Sequence, residues 1–261
     1  MAANPMRVVE LSVGSLSAYI AIIEGQPGGL RNVFRGQQNA EWSLQPGLYR
    51  IENTNIHSAT IEESYGSLEA QMVSRFFEQG LPYLPPIKRG FTNDRILAQH
   101  FGVPTRLLDW TLDPLVALYF ATENLQSDTD AAIFMLAPDA NYDPEYFDAF
   151  RGRQQPHTAA SIYPPAIDRR IPAQKSIFTV HPYGDPTAGF VPLDQRSAFG
   201  GKYLTGTQES RGFAKIIIPG HLKRSFRHLL HGMGVDQRNL FPGLEGVGAD
   251  IARRARAGAL L

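Results

Sequence analysis

The stretch AQHFGVPTRLLDWTLDPLVALYFATENL, residues 98–125, decides how the chain folds. Its first half predicts a strand over residues 104–111, and its second half predicts a helix over residues 113–125. Asp113 is a favoured residue for capping a helix start, and Pro114 loses nothing at the first helical position, where its missing N–H is not needed. Polar groups on a buried strand are tolerated only when they are paired or line a cleft. The stretch therefore predicts an internal polar network or the floor of a cleft.

The polar side chains of the predicted strand divide between its two faces, because successive side chains of a strand point in opposite directions. Asp109 and Thr111 share one face, and Arg106 and Trp110 share the other. One face thus offers a carboxylate and a hydroxyl, and the other offers a guanidinium beside an aromatic ring. The alternative is a buried network in which an arginine and an aspartate tie the strand to the helix.

The overall composition limits the kinds of function. The chain has 261 residues, with 25 Lys and Arg balanced by 25 Asp and Glu, and it has no cysteine. A net charge of zero argues against a general nucleic-acid or membrane-surface binder, although a local basic patch stays open. The lack of cysteine excludes disulfides, thiolate metal sites and a cysteine nucleophile. No run approaches the roughly 20 apolar residues of a membrane helix, and the first residues do not resemble a signal peptide, so we expect a cytoplasmic protein.

Helices and strands follow one another irregularly along the rest of the chain. Helices are predicted at 13–24, 60–80, 93–102 and 220–234, and strands at 31–37, 131–138, 176–182 and 213–219. Residues 139–170 are rich in Asp, Tyr, Pro and Arg and are interpreted as a surface excursion, and residues 251–261 as a C-terminal tail. Because the order lacks a strict βαβ alternation, we predict one α+β domain over residues 1–261, with a central, largely antiparallel sheet flanked by helices.

The segment FRGQ, residues 34–37, places a dense polar cluster on a short apolar strand. The planar guanidinium of Arg35 can hold a phosphate or a carboxylate through paired hydrogen bonds. Gly36 lets a ligand approach the backbone, and Gln37 adds a donor and an acceptor. The alternative is that the arginine forms a salt bridge to a core acid such as Asp109 while the glycine makes a turn.

Four further side chains are candidates for binding a ligand. Trp110 and Tyr119 could stack on nicotinamide or a base, although aromatic residues in a mixed fold usually belong to the core. His100 could bind a ribose hydroxyl or carry a proton, or it could simply stabilise the end of its helix. Gln174 could read the edge of a ligand, or it could lie on the polar outer face of a half-buried strand.

Four stretches together resemble the FRG-domain family, in order and in spacing, over residues 13–250. They are FRGQ (34–37), QHFGVPTRLLDWTLDPLVALYFA (99–121), RIPAQKSIFTVHP (170–182) and LFPGLEG (240–246). The second is long and specific. The third has Ser176 where glycine is usual, and the last has Gly243 and Glu245 where two aspartates are usual. The family carries no settled biochemical activity, so the resemblance implies a single FRG-like domain and not a reaction.

A more distant resemblance is to ADP-ribosyltransferases. Many of these enzymes carry an aromatic-Arg-Gly triplet on an early strand, then a strand with Ser or Thr, a helix with the pattern Ala-x-x-Phe-Ala, and a late carboxylate. Here FRG, LLDWT and ALYFA correspond to the first three elements. The resemblance implies NAD as the substrate, no metal, and cleavage of the bond between nicotinamide and ribose. The Glu-x-Glu motif of one large branch of these enzymes is not present.

The same resemblance assigns roles to residues. Arg35 would hold the pyrophosphate, and Thr111 would bond the ribose or the carboxamide. Trp110 or Tyr119 would stack on nicotinamide.

A late carboxylate would stabilise the positive charge that develops on the ribose. Glu209 and Glu245 are the two candidates, and Glu245 is preferred, although an exposed loop position is the ordinary expectation for both. A toxin or phage-defence effector would fit such an activity.

Two other functions stay open. A non-catalytic module would use the same Arg, His and Asp cluster to bind a nucleotide or an anionic group of a partner. A phosphate-ester hydrolase or nuclease would need paired Asp or Glu ligands for Mg²⁺, which the sequence does not show. A basic run predicts a solvated face that could hold a macromolecular acceptor or nucleic acid; it consists of Lys215, Lys223, Arg224 and Arg227.

Overall fold

The computed structural model describes most of the chain, namely residues 9–25, 32–51, 61–136, 141–142, 160–181, 183, 190–195 and 213–256. In chain order, strands β1 to β8 are Val9–Ser12, Val33–Gln37, Leu107–Thr111, Ala131–Leu136, Asn141–Tyr142, Ala160–Ile162, Ser176–Val180 and Phe213–Ile218. Helices α1 to α8 are Leu16–Glu24, Ile61–Gly80, Phe91–His100, Pro114–Ala121, Arg170–Ala173, Lys223–Gly232, Gln237–Leu240 and Leu244–Arg256.

The strands form one mixed sheet in the order β1-β8-β4-β2-β3-β7-β6-β5. The pairs β1–β8 and β5–β6 are parallel, and the other five are antiparallel. The prediction of an α+β fold with a largely antiparallel sheet is therefore confirmed. None of the helices in the described part of the chain has the length and apolar character that crossing a membrane requires.

One predicted segment differs from the structure. The surface excursion over residues 139–170 is wrong for residues 160–162, because β6 lies there, pairs with β7 and buries Ser161 and Ile162 completely. Residues 143–159 lie outside the described part. In the predicted C-terminal tail, residues 251–256 form the last part of α8.

The central sheet has helices on one face and loops on the other. Helices α1, α4 and α6 pack on β2, β4 and β8 through one apolar cluster, in which Tyr19, Tyr119 and Phe226 are the large members. On the opposite face, Leu44 and Leu193 from connecting segments cover a second cluster around β3 and β4. This arrangement leaves room for a cleft where the covering segments end.

The sheet is weakly joined at its centre. Strands β2 and β4 pair over five residues, whereas β2 and β3 share one registered pair, Phe34–Thr111, among the described residues. The two strands diverge beyond that pair. The remaining backbone groups on their facing edges must therefore find other partners, and this divergence opens the candidate site.

Helix α4 packs directly against β2 on the helical face of the sheet. Its cap forms as the sequence predicts, with the Asp113 carboxylate accepting from the Leu115 N–H at 2.9 Å and proline in the first turn. Its backbone then lies directly on Gly36, where a Cβ atom would meet the Ala117 carbonyl oxygen at 1.9 Å. The glycine of the FRGQ segment is thus required by the packing of a helix.

A buried ionic cluster anchors the start of β3. Glu69 of α2 is fully buried, and its Oε2 accepts from Arg95 Nε at 2.6 Å and from the Tyr183 hydroxyl at 2.7 Å. Its Oε1 accepts from the backbone N–H of Arg106 at 2.8 Å. The carboxylate therefore ties α2, α3 and β3 together.

Candidate functional site

A cleft of about 770 Å³ opens where β2 and β3 diverge. Its lining comes from parts of residues 34–50 and 109–123, and from Gln174, Ser176 and Phe241. Four distant parts of the sequence therefore build it. Its volume lies within the range of roughly 300–1,000 Å³ that is usual for small-molecule sites.

Arg35 bridges the gap between the two diverging strands. Its Nη1 donates to the backbone carbonyl of Asp109 at 2.7 Å and lies 3.8 Å from the Asp109 carboxylate. Only 17% of its side chain is exposed, and among the described residues its buried Nε has no hydrogen-bond partner. Burial lowers the pKa of Arg35, Asp109 opposes this shift, and Arg50 lowers it further. A buried guanidinium with a free donor is suited to holding an anion.

The two polar residues predicted to share a face of β3 do line the cleft, but they are engaged differently. The Asp109 side chain is 61% exposed and accepts from Gln99 Nε2 at 2.9 Å. The Thr111 hydroxyl donates to the Gln174 carbonyl at 2.6 Å and accepts from the Asp113 N–H at 3.0 Å. Thr111 therefore holds the backbone turns beside the cleft, and Asp109 is the more accessible of the two.

Three further predicted side chains lie in the lining. Gln174 Nε2 donates to the Leu240 carbonyl at 3.0 Å, and Gln37 Nε2 donates to the Ser43 carbonyl at 3.3 Å. Trp110 is nearly buried, and its indole N–H donates to Thr179 Oγ1 at 2.9 Å. These bonds fix the side chains as walls of the cleft.

A comparison with family models gives a match to the FRG domain over residues 31–130. Over these residues the chain is similar to the FRG domain. The matched region includes the FRGQ segment and the whole of residues 98–125, whereas Gln174 and Phe241 lie beyond it. Searches of curated proteins and of solved structures found no match.

Arg106 and Tyr119 lie outside the lining of the cleft. Arg106 is almost fully buried, with its Nε 3.9 Å from Glu69 Oε2 and its guanidinium 4.4 Å from the centre of the Tyr183 ring. It thus belongs to the buried ionic cluster around Glu69. Tyr119 is completely buried and lies 3.4 Å from the guanidinium carbon of Arg227. Neither side chain is placed to contact a ligand in the cleft.

His100 and Glu245 also lie outside the lining. His100 Nε2 is 3.0 Å from Asp168 Oδ1, in an ion pair if the imidazole is protonated. Glu245 is in the first turn of α8, where Arg170 Nη2 donates to its exposed carboxylate at 2.6 Å. Glu209 lies outside the described residues.

The sequence reasoning missed six charged or aromatic side chains of the cleft. They are Glu41, Trp42, Arg50, Phe120, Glu123 and Phe241. Glu123 follows α4 and accepts from Gln38 Nε2 at 2.9 Å. Trp42 is 54% exposed, which is unusual for a residue of this size. The signal for Glu123 was available, since it lies within the stretch that decides the fold, but most of the others lie in segments without periodicity.

The prediction of a solvated basic face is wrong for two of its four residues. Lys223 is buried, and its Nζ donates to the Gln38 carbonyl at 3.0 Å. Arg227 is also buried, and its Nη1 donates to the Tyr119 carbonyl at 2.7 Å. Among the residues that the structure describes, no group of three or more His, Asp or Glu side chains is arranged to hold a metal ion.

Proposed function

We propose that this FRG domain binds NAD in the cleft and breaks the bond between nicotinamide and ribose, as ADP-ribosyltransferases do. The observation that carries the proposal is Arg35, which is mostly buried and lines a cleft large enough for a nucleotide, and whose Nε has no hydrogen-bond partner among the described residues. A cleft that combines apolar rings with a small number of fixed polar groups is the usual form of such a site.

The phosphates of NAD would lie against Arg35. Its Nη1 already binds the Asp109 carbonyl, which fixes the orientation of the guanidinium plane. The unpaired Nε then offers a donor that gains a charged partner when a phosphate oxygen arrives. Because the arginine is largely desolvated before binding, less water must be displaced on its side of the contact.

The rings of NAD would stack on aromatic residues that differ from the predicted ones. Trp42 is the most exposed aromatic side chain of the lining, and Phe120 and Phe241 are half-buried beside the same space. Aromatic faces and edges of this kind bind planar rings at a low cost in conformational entropy. Trp110 and Tyr119, the residues expected from the sequence, are too enclosed for this role.

Glu123 is the best-placed catalytic carboxylate. When the glycosidic bond breaks, its electron pair leaves with nicotinamide and the ribose becomes positively charged. A fixed carboxylate stabilises that charge. Glu123 is held by Gln38 through one oxygen and leaves the other for the ribose. Asp109 is less suited, because it lies beside the arginine that holds the phosphates. The reaction ends when a nucleophile of an acceptor, or water, bonds to the ribose carbon and loses its proton.

The experiment is to incubate the purified protein with NAD, with and without a cell lysate, and to follow nicotinamide release and ADP-ribosylated products by mass spectrometry. We expect release by the wild type, a loss of about 100-fold or more in Glu123→Gln, and a comparable loss in Arg35→Ala. Glu41→Gln is the matched control, because it neutralises another carboxylate of the same cleft.

The outcomes separate the competing functions. If Glu245→Gln abolishes release and Glu123→Gln does not, the late acid expected from the sequence is the catalytic one. If a folded wild type releases no nicotinamide but is stabilised against heat by NAD, the domain is a binding module. If neither release nor stabilisation occurs, NAD is not its ligand.

A toxin or phage-defence role is the biological setting that would fit this activity, because loss of NAD or modification of an essential acceptor arrests growth. Expression of the wild type in a bacterial host should then slow growth, and expression of Glu123→Gln should not. Equal growth of the two strains at equal protein levels would contradict this role.

A further inference from the structure

Arg50 is a second cation in the lining of the cleft. It ends a short 3₁₀ helix, Gly47–Arg50, and its Nε donates to the Gln45 carbonyl at 3.0 Å. Within the described residues, its Nη1 and Nη2 groups make no hydrogen bond and no ion pair. One edge of this guanidinium is therefore fixed by the protein, and the other edge has no such partner in the part of the chain that the structure describes.

The 3₁₀ helix presents Arg50 from a rigid base. Leu48 and Tyr49 are buried, and the Leu48 N–H donates to the Thr105 carbonyl at 3.1 Å. The Gln45 side chain closes the segment by donating to the Tyr49 carbonyl at 2.7 Å. Because the backbone is held at both ends, the position of Arg50 relative to β3 is set before any ligand binds.

The charges of Arg35 and Arg50 act on each other. After burial and the opposing effect of Asp109, the charge of Arg50 lowers the pKa of Arg35. Two like charges that face one space in a partly desolvated site destabilise each other, unless an anion lies between them. The buried Nε of Arg35, which has no hydrogen-bond partner within the described ranges, is an independent sign that a partner belongs there.

The carboxylates of the lining restrict where that anion can lie. Glu41 and Glu123 are exposed in the same cleft and repel a phosphate that approaches them. A single phosphate on Arg35 would leave Arg50 unmatched. Two linked phosphates, each carrying a negative charge, match both guanidinium groups and keep the rest of the ligand free to reach the carboxylates.

We propose that Arg35 and Arg50 form a diphosphate subsite, so that the cleft selects a nucleoside diphosphate moiety over a nucleoside monophosphate. The subsite rests on the proposed function to the extent that the cleft must hold a nucleotide. It specifies the class of ligand and adds Arg50 to the residues that bind it. It does not depend on whether the glycosidic bond is broken.

The test is binding of ADP and AMP to the full chain by isothermal titration calorimetry at one fixed salt concentration. We expect the wild type to bind ADP at least tenfold more tightly than AMP. In Arg50→Gln the affinity for ADP should fall about tenfold while the affinity for AMP changes little, so the preference disappears. Arg75→Gln is the matched control, because Arg75 is exposed on α2 and does not line the cleft.

Equal affinities of the wild type for ADP and AMP would overturn the subsite, and so would an unchanged preference in Arg50→Gln or no binding of either nucleotide. Failure of the proposed function looks different, because it is a lack of nicotinamide release. If the protein prefers ADP through Arg50 but does not cleave NAD, the diphosphate subsite is supported and the proposed enzymatic activity is contradicted.

Discussion

Replacing Gly36 with alanine is expected to lower the free energy of unfolding by about 3 kcal/mol or more. A Cβ atom at this position would lie 1.9 Å from the Ala117 carbonyl oxygen and 2.6 Å from the Ala121 nitrogen. Both contacts are with backbone atoms of α4, so no side-chain rotation can relieve them. To reach an ordinary separation of 3.4 Å from the oxygen, the helix must move by about 1.5 Å. A shift of that size opens gaps against the strands beneath the helix, and gaps of 0.5–1 Å already cost roughly a quarter to a half of the dispersion energy.

The measurement is urea unfolding followed by far-UV circular dichroism. The matched control is Gly248→Ala, since Gly248 lies exposed in α8 with nothing within 4 Å of a Cβ atom. That change should raise the free energy of unfolding by about 0.5–1 kcal/mol, because alanine is the better helix former. A loss of less than about 1 kcal/mol in Gly36→Ala would refute the close packing of α4 on β2.

Three further changes test other parts of the structure. Glu69→Gln should lower the free energy of unfolding by about 3–5 kcal/mol, because it leaves two buried arginines without their carboxylate, whereas Glu78→Gln on the exposed side of α2 should change it by less than about 0.5 kcal/mol. Lys175 has a positive φ of 47°, which strains any residue except glycine. Lys175→Gly should therefore raise the free energy of unfolding by about 0.5–1 kcal/mol. Lys175→Ala is the control, because it also removes the ion pair with Asp113 but keeps the strain, and it should not raise the stability. Burial raises the pKa of Tyr119 from its ordinary value of 10.0 to about 12. Above pH 10 the unfolded state therefore loses a proton that the folded state still holds. The free energy of unfolding should fall by about 2–3 kcal/mol as the pH rises from 10 to about 12. Urea unfolding from pH 9 upward should show a smaller fall in Tyr119→Phe, and an identical fall would contradict the assignment.

The local features of the fold could be predicted from the sequence. The cap of α4 follows from Asp113 and Pro114 alone, and the alternation along β3 correctly separates Asp109 and Thr111 from Arg106 and Trp110. These features depend on neighbouring residues, whose geometry is fixed by the helical or strand period. Strand β6, with three residues, is too short to show a period and was therefore missed.

The partners of the polar side chains could not be predicted. Arg106 and Asp109 are close in sequence, but Arg106 binds Glu69 across 37 positions of the chain. Gly36 was interpreted as a position where a ligand approaches the backbone. A glycine is required equally where a helix packs close to a strand, so the sequence does not distinguish the two. For the same reason, the acid expected at Glu245 has no local signal that separates a cleft residue from a surface ion pair.

The residues that line the cleft show how much of the chain is needed to form the site. The family match covers residues 31–130, which excludes β4, although β4 pairs with β2 over five residues. It also excludes β7, the neighbour of β3, and the two wall residues Gln174 and Phe241. An excised match would therefore leave two strands with bare edges open to self-association, and a ligand site without one wall. The region matched by the family model is thus shorter than the part of the chain needed to form the complete cleft. The boundaries of a fragment or fusion protein should therefore include all strands of the sheet.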